Sequence, residues 1–226
     1  MPDQAEQFTA FCPAERQSRR APAAIEAAFE QLVGGRTRTI RTGEEIFGEG
    51  EEAQHVYRIV SGTVRTYRLL SDGRRQVSDF LQDGDVIGPE PGLTHRNTAE
   101  AVTEVVIQTA PRLALMRLAD SDPALAGALW RLSIDWRQRA QDHAMILARQ
   151  GATERVAGFL LAYAASHGEE TFDLPMTRQD IADHLGLTIH TVSRTLSQLQ
   201  CEGLVRLQSL RRVQLLCSDA LQTIAG

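Results

Sequence analysis

The sequence predicts an α+β protein with an N-terminal antiparallel β-roll or jelly roll, a long dimerisation helix and a C-terminal winged helix-turn-helix. Short alternating apolar runs separated by turn residues predict the roll. A stretch of strong helix formers predicts the long helix, and two short helical segments that meet at a glycine predict the last unit. The predicted division is an arm at 1–24, the roll at 25–120, the long helix at 121–150 and the winged unit at 151–226.

Composition limits the class of protein before any motif is considered. The chain has 226 residues, 42% of them apolar and 23% charged, which is typical of a soluble globular protein and excludes disorder as its main state. No run approaches the ~20 apolar residues of a membrane span, and the N-terminus lacks the pattern of a secretory signal, so we expect a cytoplasmic protein without a membrane partner. Cys12, Cys201 and Cys217 lie far apart and form no metal-binding pair.

The first hundred residues read as an arm, a short helix and a series of strands. Residues 1–24 are polar and show no periodicity, so we expect a flexible arm. Ile25, Phe29 and Leu32 share one face of a predicted helix at Ala24–Leu32. The predicted strands of the roll are Val56–Val60, Thr63–Leu69, Val77–Leu81 and Ala101–Thr109, and Asp72-Gly73 marks the clearest hairpin turn between them.

The long helix begins at a clear start signal and carries an apolar row. Asp122 is a predicted N-cap and Pro123 occupies the first helical position. A helix of about 28 residues spans ~42 Å, more than one small roll covers. We therefore expect it to pair with its copy in a dimer, although a helix lying along its own domain is the alternative. The predicted dimer row is Leu125, Leu129, Leu132, Trp136 and Ile146.

The C-terminal unit carries the most specific local pattern. After a predicted helix at Ala152–Ala165 and a strand at Thr171–Leu174, Thr177 and Asp180 form a capping box that starts a short helix. Gly186 then permits a sharp turn, and Thr188 caps a second helix. The residues predicted to pack between the two helices are Ile181, Ala182, Leu185, Val192, Leu196 and Leu199. The pattern favours a helix-turn-helix, with an unrelated αα-hairpin as the alternative.

If the second helix enters a major groove of double-stranded DNA, the outward residues of its first turns face the bases. Arg194 is the best candidate for reading a base because its guanidinium can pair with guanine O6 and N7 together, although a phosphate contact is the alternative. The predicted base-reading residues are Ile189, His190, Ser193 and Arg194. The predicted backbone contacts are Thr177, Arg178, Thr191, Ser197, Arg211 and Arg212, the last two at the tip of a wing. This region is locally basic although the chain carries a net charge of −5.

From about residue 30 to 218 the sequence resembles the CRP/FNR superfamily of bacterial transcription regulators, and within it the FixK-like branch. The matching motifs are Gly43-Glu44-x-Ile46-Phe47-x-Glu49-Gly50, Tyr57-x-Ile59-x-Ser61-Gly62-x-Val64, Gly73-Arg74-Arg75, Gly84-Asp85-x-Ile87-Gly88, Leu185-Gly186-Leu187-Thr188 and Thr191-Val192-Ser193-Arg194. The resemblance implies a homodimer that binds two-fold symmetric TTGAT-like sites and activates transcription through RNA polymerase. It also implies control of genes for low-oxygen respiration, nitrogen fixation or denitrification.

Three positions depart from the pattern of that branch. The branch has Glu where this chain has His190, which changes the hydrogen bonds available to one base pair. Oxygen-sensing members hold an iron–sulfur cluster on several N-terminal cysteines, whereas this chain offers only Cys12 there. The wing tip, Gln208–Arg211, lacks the glycine expected in a tight turn.

The roll carries no clear sensor motif, so we expect no cofactor and no metal. Where nucleotide-binding members present backbone amides to a cyclic phosphate, this chain has Pro89 and Pro91, which have no N–H. Arg96 is the one nearby candidate for holding an anion, and it also fits a surface position. His55 and His95 form no metal-ligand pattern. We therefore expect activity to be set by the amount of protein. The alternatives are a regulator gated by a small molecule in the roll and, more remotely, a jelly-roll enzyme.

Overall fold

The computed structural model describes residues 22–90 and 92–226, so most of the predicted arm, together with Cys12 and Pro91, lies outside the described residues. The elements of the N-terminal half are α1 (Ala23–Val33), β1 (Arg38–Ile40), β2 (Glu45–Phe47), β3 (His55–Ser61), β4 (Val64–Leu69), β5 (Arg75–Leu81), β6 (Val86–Ile87), β7 (Thr98–Ala101), β8 (Val105–Pro111) and α2 (Arg112–Ser121). The remaining elements are α3 (Pro123–Ala148), α4 (Ala152–His167), β9 (Thr171–Asp173), α5 (Arg178–Leu185), α6 (Ile189–Cys201), β10 (Val205–Leu207), β11 (Arg212–Leu215) and α7 (Ser218–Ala225).

Two antiparallel four-stranded sheets form the roll, in the orders β1-β8-β3-β6 and β2-β7-β4-β5. Alternating residues of both sheets point inward, and Ile40, Ile59, Val64 and Ile107 are fully buried between them. The predicted antiparallel roll is therefore confirmed.

The β4–β5 hairpin turns at Asp72-Gly73, as predicted. Leu69 pairs with Arg75, and Gly73 takes a φ of 82°, a left-handed conformation that favours glycine. The predicted single strand at Ala101–Thr109 is wrong. β7 ends at Ala101 and β8 starts at Val105, because the intervening residues turn: the amides of Val102 and Thr103 both donate to the carbonyl of Thr63.

The long helix α3 begins as predicted. The Asp122 side chain accepts the amides of Ala124 and Leu125 at 2.9 and 3.2 Å, and Pro123 is the first helical residue. Helix α2, which precedes it, was not predicted. The helix near the N-terminus starts at Ala23, so the last two residues of the predicted arm are helical.

The predicted dimer row on α3 packs within its own chain instead. Leu125 and Leu132 are buried against α1 and the roll, and Leu129 and Trp136 pack on the same cluster. Ile146 is buried in a second core shared with the C-terminal unit. Leu125, Leu132 and Ile146 are therefore covered by their own chain, whereas Leu129 and Trp136 are half-buried. The predicted apolar periodicity of the row is correct, but the surface on which these side chains pack belongs to the same chain.

The C-terminal unit is a helix-turn-helix with a three-stranded sheet in the order β10-β11-β9. Helix α7, which was not predicted, buries Leu221 against α4. The buried cluster of this unit extends into the roll and includes Tyr67, Val77 and Phe80 of β4 and β5. Helix α5 is consequently docked against β5. No helix in the described part of the chain is long and apolar enough to cross a membrane.

Candidate DNA interface

The turn between α5 and α6 is built from local signals. Thr177 and Asp180 form the predicted capping box, with the Asp180 amide donating to Thr177 Oγ1 at 3.1 Å and the Thr177 amide donating to Asp180 Oδ2 at 2.9 Å. Gly186 ends α5 with a φ of 63°, and Thr188 accepts the amide of Thr191 to start α6. Both ends of the turn are thus fixed within the motif.

Apolar contacts hold the two helices at a fixed relative angle. The six residues predicted between them are all buried: Ile181, Ala182, Leu185, Val192, Leu196 and Leu199. Ala182, the smallest of the six, is fully buried in the same cluster as Val192 and Leu196. With one face of α6 packed in this way, its opposite face is directed outward as one rigid surface.

The outward face of α6 carries the residues predicted to read bases. Ile189, His190 and Arg194 are exposed, and Ser193 is half-buried beside them. Among residues 22–90 and 92–226, no carboxylate lies within ion-pair distance of the Arg194 guanidinium. An unengaged guanidinium on a rigid helix can approach guanine O6 and N7 without first breaking an internal pair.

The residues predicted to contact the DNA backbone differ in their exposure and in their contacts with the rest of the protein. Thr177, Ser197 and Arg211 are exposed, whereas Arg178 and Thr191 are half-buried, and Thr191 Oγ1 lies 2.8 Å from Thr188 Oγ1. The Arg212 guanidinium lies 3.4 Å from Asp173 on the neighbouring strand. Arg211 is therefore the freer of the two wing arginines to meet a phosphate.

The wing closes without the glycine that the sequence lacks. Ser209 Oγ accepts the amides of Arg211 and Arg212 at 3.2 and 2.9 Å, and the Gln208 amide donates to the carbonyl of Arg212. The serine hydroxyl thus accepts amides of the turn that a backbone carbonyl would otherwise accept. Leu210 at the tip is 85% exposed.

A cavity of about 730 Å³ lies between the roll and α3, in the domain where a sensor site would lie. Glu90 occupies the turn expected to hold a cyclic phosphate, and its carboxylate accepts the Arg96 amide at 2.7 Å. Its other oxygen lies 3.3 Å from His95 Nδ1, and Pro89 supplies no amide. The negative charge of Glu90 repels a phosphate, and the Arg96 amide that a phosphate could use is already bonded to Glu90. These residues therefore do not fit a cyclic nucleotide.

Two of the arginines that line this cavity are engaged with other groups of the protein. Arg112 donates to the carbonyl of Gly92 at 2.6 Å, and Arg139 pairs with Asp79 and Asp85. Arg96 is exposed. Within the described ranges, no group of three or more His, Cys, Asp or Glu side chains has a metal-binding arrangement. His95 is instead buried and stacked on Phe47 at 3.7 Å.

The arrangement of α5, α6 and the wing defines a class of protein: a helix-turn-helix regulator that binds double-stranded DNA. Residues 154–224 match the Crp-like helix-turn-helix domain family, and residues 37–122 match the cyclic nucleotide-binding domain family. The nitrogen fixation regulation protein FixK of Azorhizobium caulinodans is 46% identical over 210 residues, covering 90% of this chain and 82% of that protein. FixK of Rhizobium meliloti is 38% identical and covers 83% of this chain and 86% of its own length.

A solved structure shows the same architecture. The structure of FixK2 from Bradyrhizobium japonicum superposes with a TM-score of 0.79 at 40% identity, covering 84% of this chain and 97% of that one. The chain belongs to the FixK-like branch of the CRP/FNR superfamily of transcription regulators. The relatives are regulators and not enzymes, so the jelly-roll enzyme alternative is set aside.

The sequence did not predict the docking contacts of the C-terminal unit or the exposed apolar face of α3. Trp130, Ile134 and Met145 lie on that face. Their helical spacing is visible in the sequence, but the other apolar row of this helix contains more leucines and was predicted to form the dimer contact. The arginines that dock α5 had no local signal, because their partners lie about a hundred positions away.

Proposed function

We propose that the chain binds, as a homodimer, a two-fold symmetric site with TTGAT-like half-sites, and activates transcription there through RNA polymerase. The observation that carries the proposal is the exposed row Ile189, His190 and Arg194 at the start of α6, on a helix whose other face is packed. A two-fold DNA site matches a two-fold dimer, because each recognition helix then meets the same bases.

The dimer in this proposal forms through the outer face of α3. Trp130 is 69% exposed and Met145 is 66% exposed, with Ile134 between them. At ~100° per residue these three side chains fall within about 60° of one another around the helix. Because soluble proteins seldom leave such a row of large apolar side chains in water, we assign it to the same row of a second copy.

The proposal includes DNA binding without a cyclic nucleotide or an iron–sulfur cluster. Glu90 and Pro89 disfavour a cyclic phosphate for the reasons given above. A cluster of the common type requires four thiolates, and the chain has three cysteines. Activity is then set by the amount of protein, in the cytoplasm. The names of the FixK relatives support nitrogen-fixation genes as targets, alongside genes for low-oxygen respiration or denitrification.

A second candidate is a regulator gated by a small molecule. It is favoured by the size of the cavity beside α3 and by its apolar walls, which include Leu115, Leu129 and Trp136. A ligand there would touch the helix that we assign to the dimer and could shift its position. This candidate predicts that the ligand-free chain binds DNA weakly.

The test is fluorescence anisotropy of the ligand-free protein on a TTGAT-N4-ATCAA duplex, with a scrambled duplex beside it, at ~0.15 M salt. The proposal predicts binding to the first duplex that is about a thousandfold or more tighter than binding to the second. Binding to neither contradicts it. The titration is then repeated with a library of randomised half-sites, with and without cAMP, which separates a site altered at His190 from a missing effector.

The dimer face is tested by sedimentation of a Trp130→Glu, Met145→Glu double variant. We expect a monomer, because two buried carboxylates at a helix pair are not compensated. The matched control is Leu69→Glu, an equally exposed leucine on β4 that should leave the dimer intact. A double variant that remains dimeric would place the interface elsewhere.

A further inference from the structure

One carboxylate of the helix-turn-helix joins it to the roll. Asp180 is 1% exposed, and its Oδ2 accepts the amide and the hydroxyl of Thr177 at 2.9 and 2.7 Å. Its Oδ1 accepts Arg65 Nη1 at 2.9 Å and Arg75 Nη2 at 2.6 Å. The same side chain therefore caps α5 and receives two arginines from β4 and β5 of the roll.

The two arginines are held in place by further contacts. Arg75 also donates from Nε to Asp183 at 2.8 Å, and its guanidinium lies 5.4 Å from the centre of the Tyr67 ring. Arg65 also pairs with Glu100 on the adjacent strand β7. Both side chains are mostly buried, with 15% and 22% exposed, so each charge depends on these partners rather than on water.

The other end of α5 is fixed to the same strand. Gln76 Nε2 donates to the carbonyl of His184 at 3.1 Å, and His184 Nδ1 donates to the carbonyl of Val77 at 3.1 Å. His143 of α3 donates to that His184 carbonyl at 2.8 Å, and the two imidazoles stack at 3.8 Å. Three successive residues of β5, starting at Arg75, thus hold α5 along its length.

This docking connects the dimer helix to the reading helix. α3 packs on the roll, and only residues 149–151 join α3 to α4 along the chain. A short connection of this kind leaves the orientation of the C-terminal unit to its non-covalent contacts. Because α6 is fixed to α5 by the buried helix pair, the position of α5 on β5 sets where α6 lies relative to the dimer axis.

The docked arrangement leaves the reading face open. Ile189, His190 and Arg194 are exposed, although Asp180 and His184 of the preceding helix are buried against the roll. The docking contacts therefore do not cover the surface that would meet DNA. A contact that orients the helix without covering it preorganises the protein for binding.

We propose that Arg65 and Arg75 are positioning residues for DNA binding, which fix the separation of the two recognition helices by holding Asp180. The inference rests on the proposed function, because it requires a dimer on a two-fold site. It assigns to the roll a role that needs no ligand: the roll serves as the frame against which each helix-turn-helix is aligned. The residue that reads the DNA and the residues that set half-site spacing are then on different domains.

The test measures how strictly the dimer selects the distance between half-sites. Duplexes carry two TTGAT half-sites with the N4 spacer or with one or two base pairs more or fewer, and one further duplex carries a single half-site. The proteins are the full-length wild type, Arg75→Gln and the Arg65→Gln, Arg75→Gln double variant. The matched control is Arg74→Gln, since Arg74 is the neighbouring arginine, pairs only with Asp72 within the described part of the chain, and is 75% exposed.

The wild type and Arg74→Gln should prefer the best spacer over its neighbours by on the order of tenfold or more, because both half-sites bind strongly only when the two helices match them. In Arg75→Gln this preference should fall several-fold, and in the double variant to about twofold, with affinity for the single half-site unchanged. The single half-site duplex also reports whether each variant retains a folded helix-turn-helix. Arg75→Gln keeps the Arg65–Asp180 pair and serves as the test if the double variant unfolds.

Two results would overturn the inference. One is a variant that keeps the spacer preference of the wild type, and the other is an equal loss of affinity on every duplex, including the single half-site. A wild type that binds but does not distinguish the spacers would overturn it as well. A wild type that binds none of the duplexes would instead contradict the proposed function, so the two failures are distinguishable.

Discussion

Two groups of arginines in this molecule have the same chemistry and opposite surroundings. Arg65 and Arg75 lie between the roll and α5, mostly buried and paired with Asp180 and its neighbours. Arg194 and Arg211 lie on the recognition helix and the wing, exposed and, in the described ranges, without a carboxylate partner. The first group holds a structure together, and the second is free to meet another molecule.

The comparison shows why the net charge is a poor guide to the DNA surface of this chain. The net charge is −5, yet acidic groups are used where they neutralise arginines inside the protein. Removing one member of a buried pair leaves the other without compensation, whereas removing an exposed arginine leaves the fold intact. From this contrast we expect effects that range from a large loss of stability at the buried pairs to a small, uniform loss of DNA affinity at the wing.

Replacing Asp180 should have the largest effect on stability. Asp180→Ala removes the cap of α5 and leaves Arg65 and Arg75 without their shared carboxylate, so we expect the free energy of unfolding to fall by about 3–5 kcal/mol. Urea unfolding would measure this loss as a lower midpoint concentration with an unchanged m-value. Thr177→Ala, which removes only the capping hydroxyl, should cost about 1 kcal/mol, and Asp72→Ala at the exposed hairpin should have no measurable effect. An Asp180 variant no less stable than Thr177→Ala would contradict the pairing.

Replacing Arg194 should leave stability unchanged and alter recognition. We expect Arg194→Ala to weaken binding to the specific duplex by about 1–3 kcal/mol and to relax the choice of base at one position of the half-site. Anisotropy on duplexes with each base at that position would measure both effects. If affinity fell equally on specific and scrambled duplexes, Arg194 would be a phosphate contact instead.

Acid should weaken the docking of α5. Burial, together with the neighbouring His143, lowers the pKa of His184 from 6.5 to about 3, and burial also lowers the pKa of His143. Below pH 6.5 the unfolded chain therefore binds protons that the folded chain does not, so stability present above pH 6.5 is lost as the pH falls toward about 3. The slope from His184 alone is at most about 1.4 kcal/mol per pH unit, the value for one bound proton.

Urea unfolding at several values of pH would measure this slope. His184→Asn keeps an amide that can donate to the carbonyl of Val77 and removes the titrating group, so its stability should depend less on pH between 5 and 7. An identical pH dependence in both proteins would show that other groups cause it.

Replacing Arg211 should have the smallest and least specific effect. Arg211→Ala should weaken binding to all duplexes alike and reduce the slope of log affinity against log salt by about 1. Titrations at several salt concentrations would measure the slope. Arg212→Ala is the comparison, because its guanidinium already lies near Asp173, and we expect a smaller change in slope for it. A loss restricted to one base pair would assign Arg211 to base reading.

Much of the C-terminal unit was predictable because its signals are local. The capping box at Thr177 and Asp180, the left-handed Gly186 and the cap at Thr188 each involve groups within a few residues of one another. The Asp122 cap and the Asp72-Gly73 turn are of the same kind. The prediction of one strand at Ala101–Thr109 was wrong because the turn within it depends on Thr63, a residue between β3 and β4 that is about forty positions away.

The face of the long helix shows where local reasoning ends. Two apolar rows run along α3, one containing Leu125 and Leu132 and the other containing Trp130 and Met145. Periodicity identifies both rows but does not say which one covers the protein's own roll. That choice depends on the position of α1 and the sheets, which are distant in sequence.

By itself, the sequence determined the order of elements, the caps and turns, the helix-turn-helix and the family, because each depends on nearby residues or on a motif of fixed spacing. Only the tertiary structure decided which α3 row remains exposed and which arginines are free. Arg75 and Asp180 are 105 positions apart, and their contact exists only after the roll and the C-terminal unit have both folded and docked. The chemistry of a side chain is fixed by the sequence, whereas its available partners are fixed by packing.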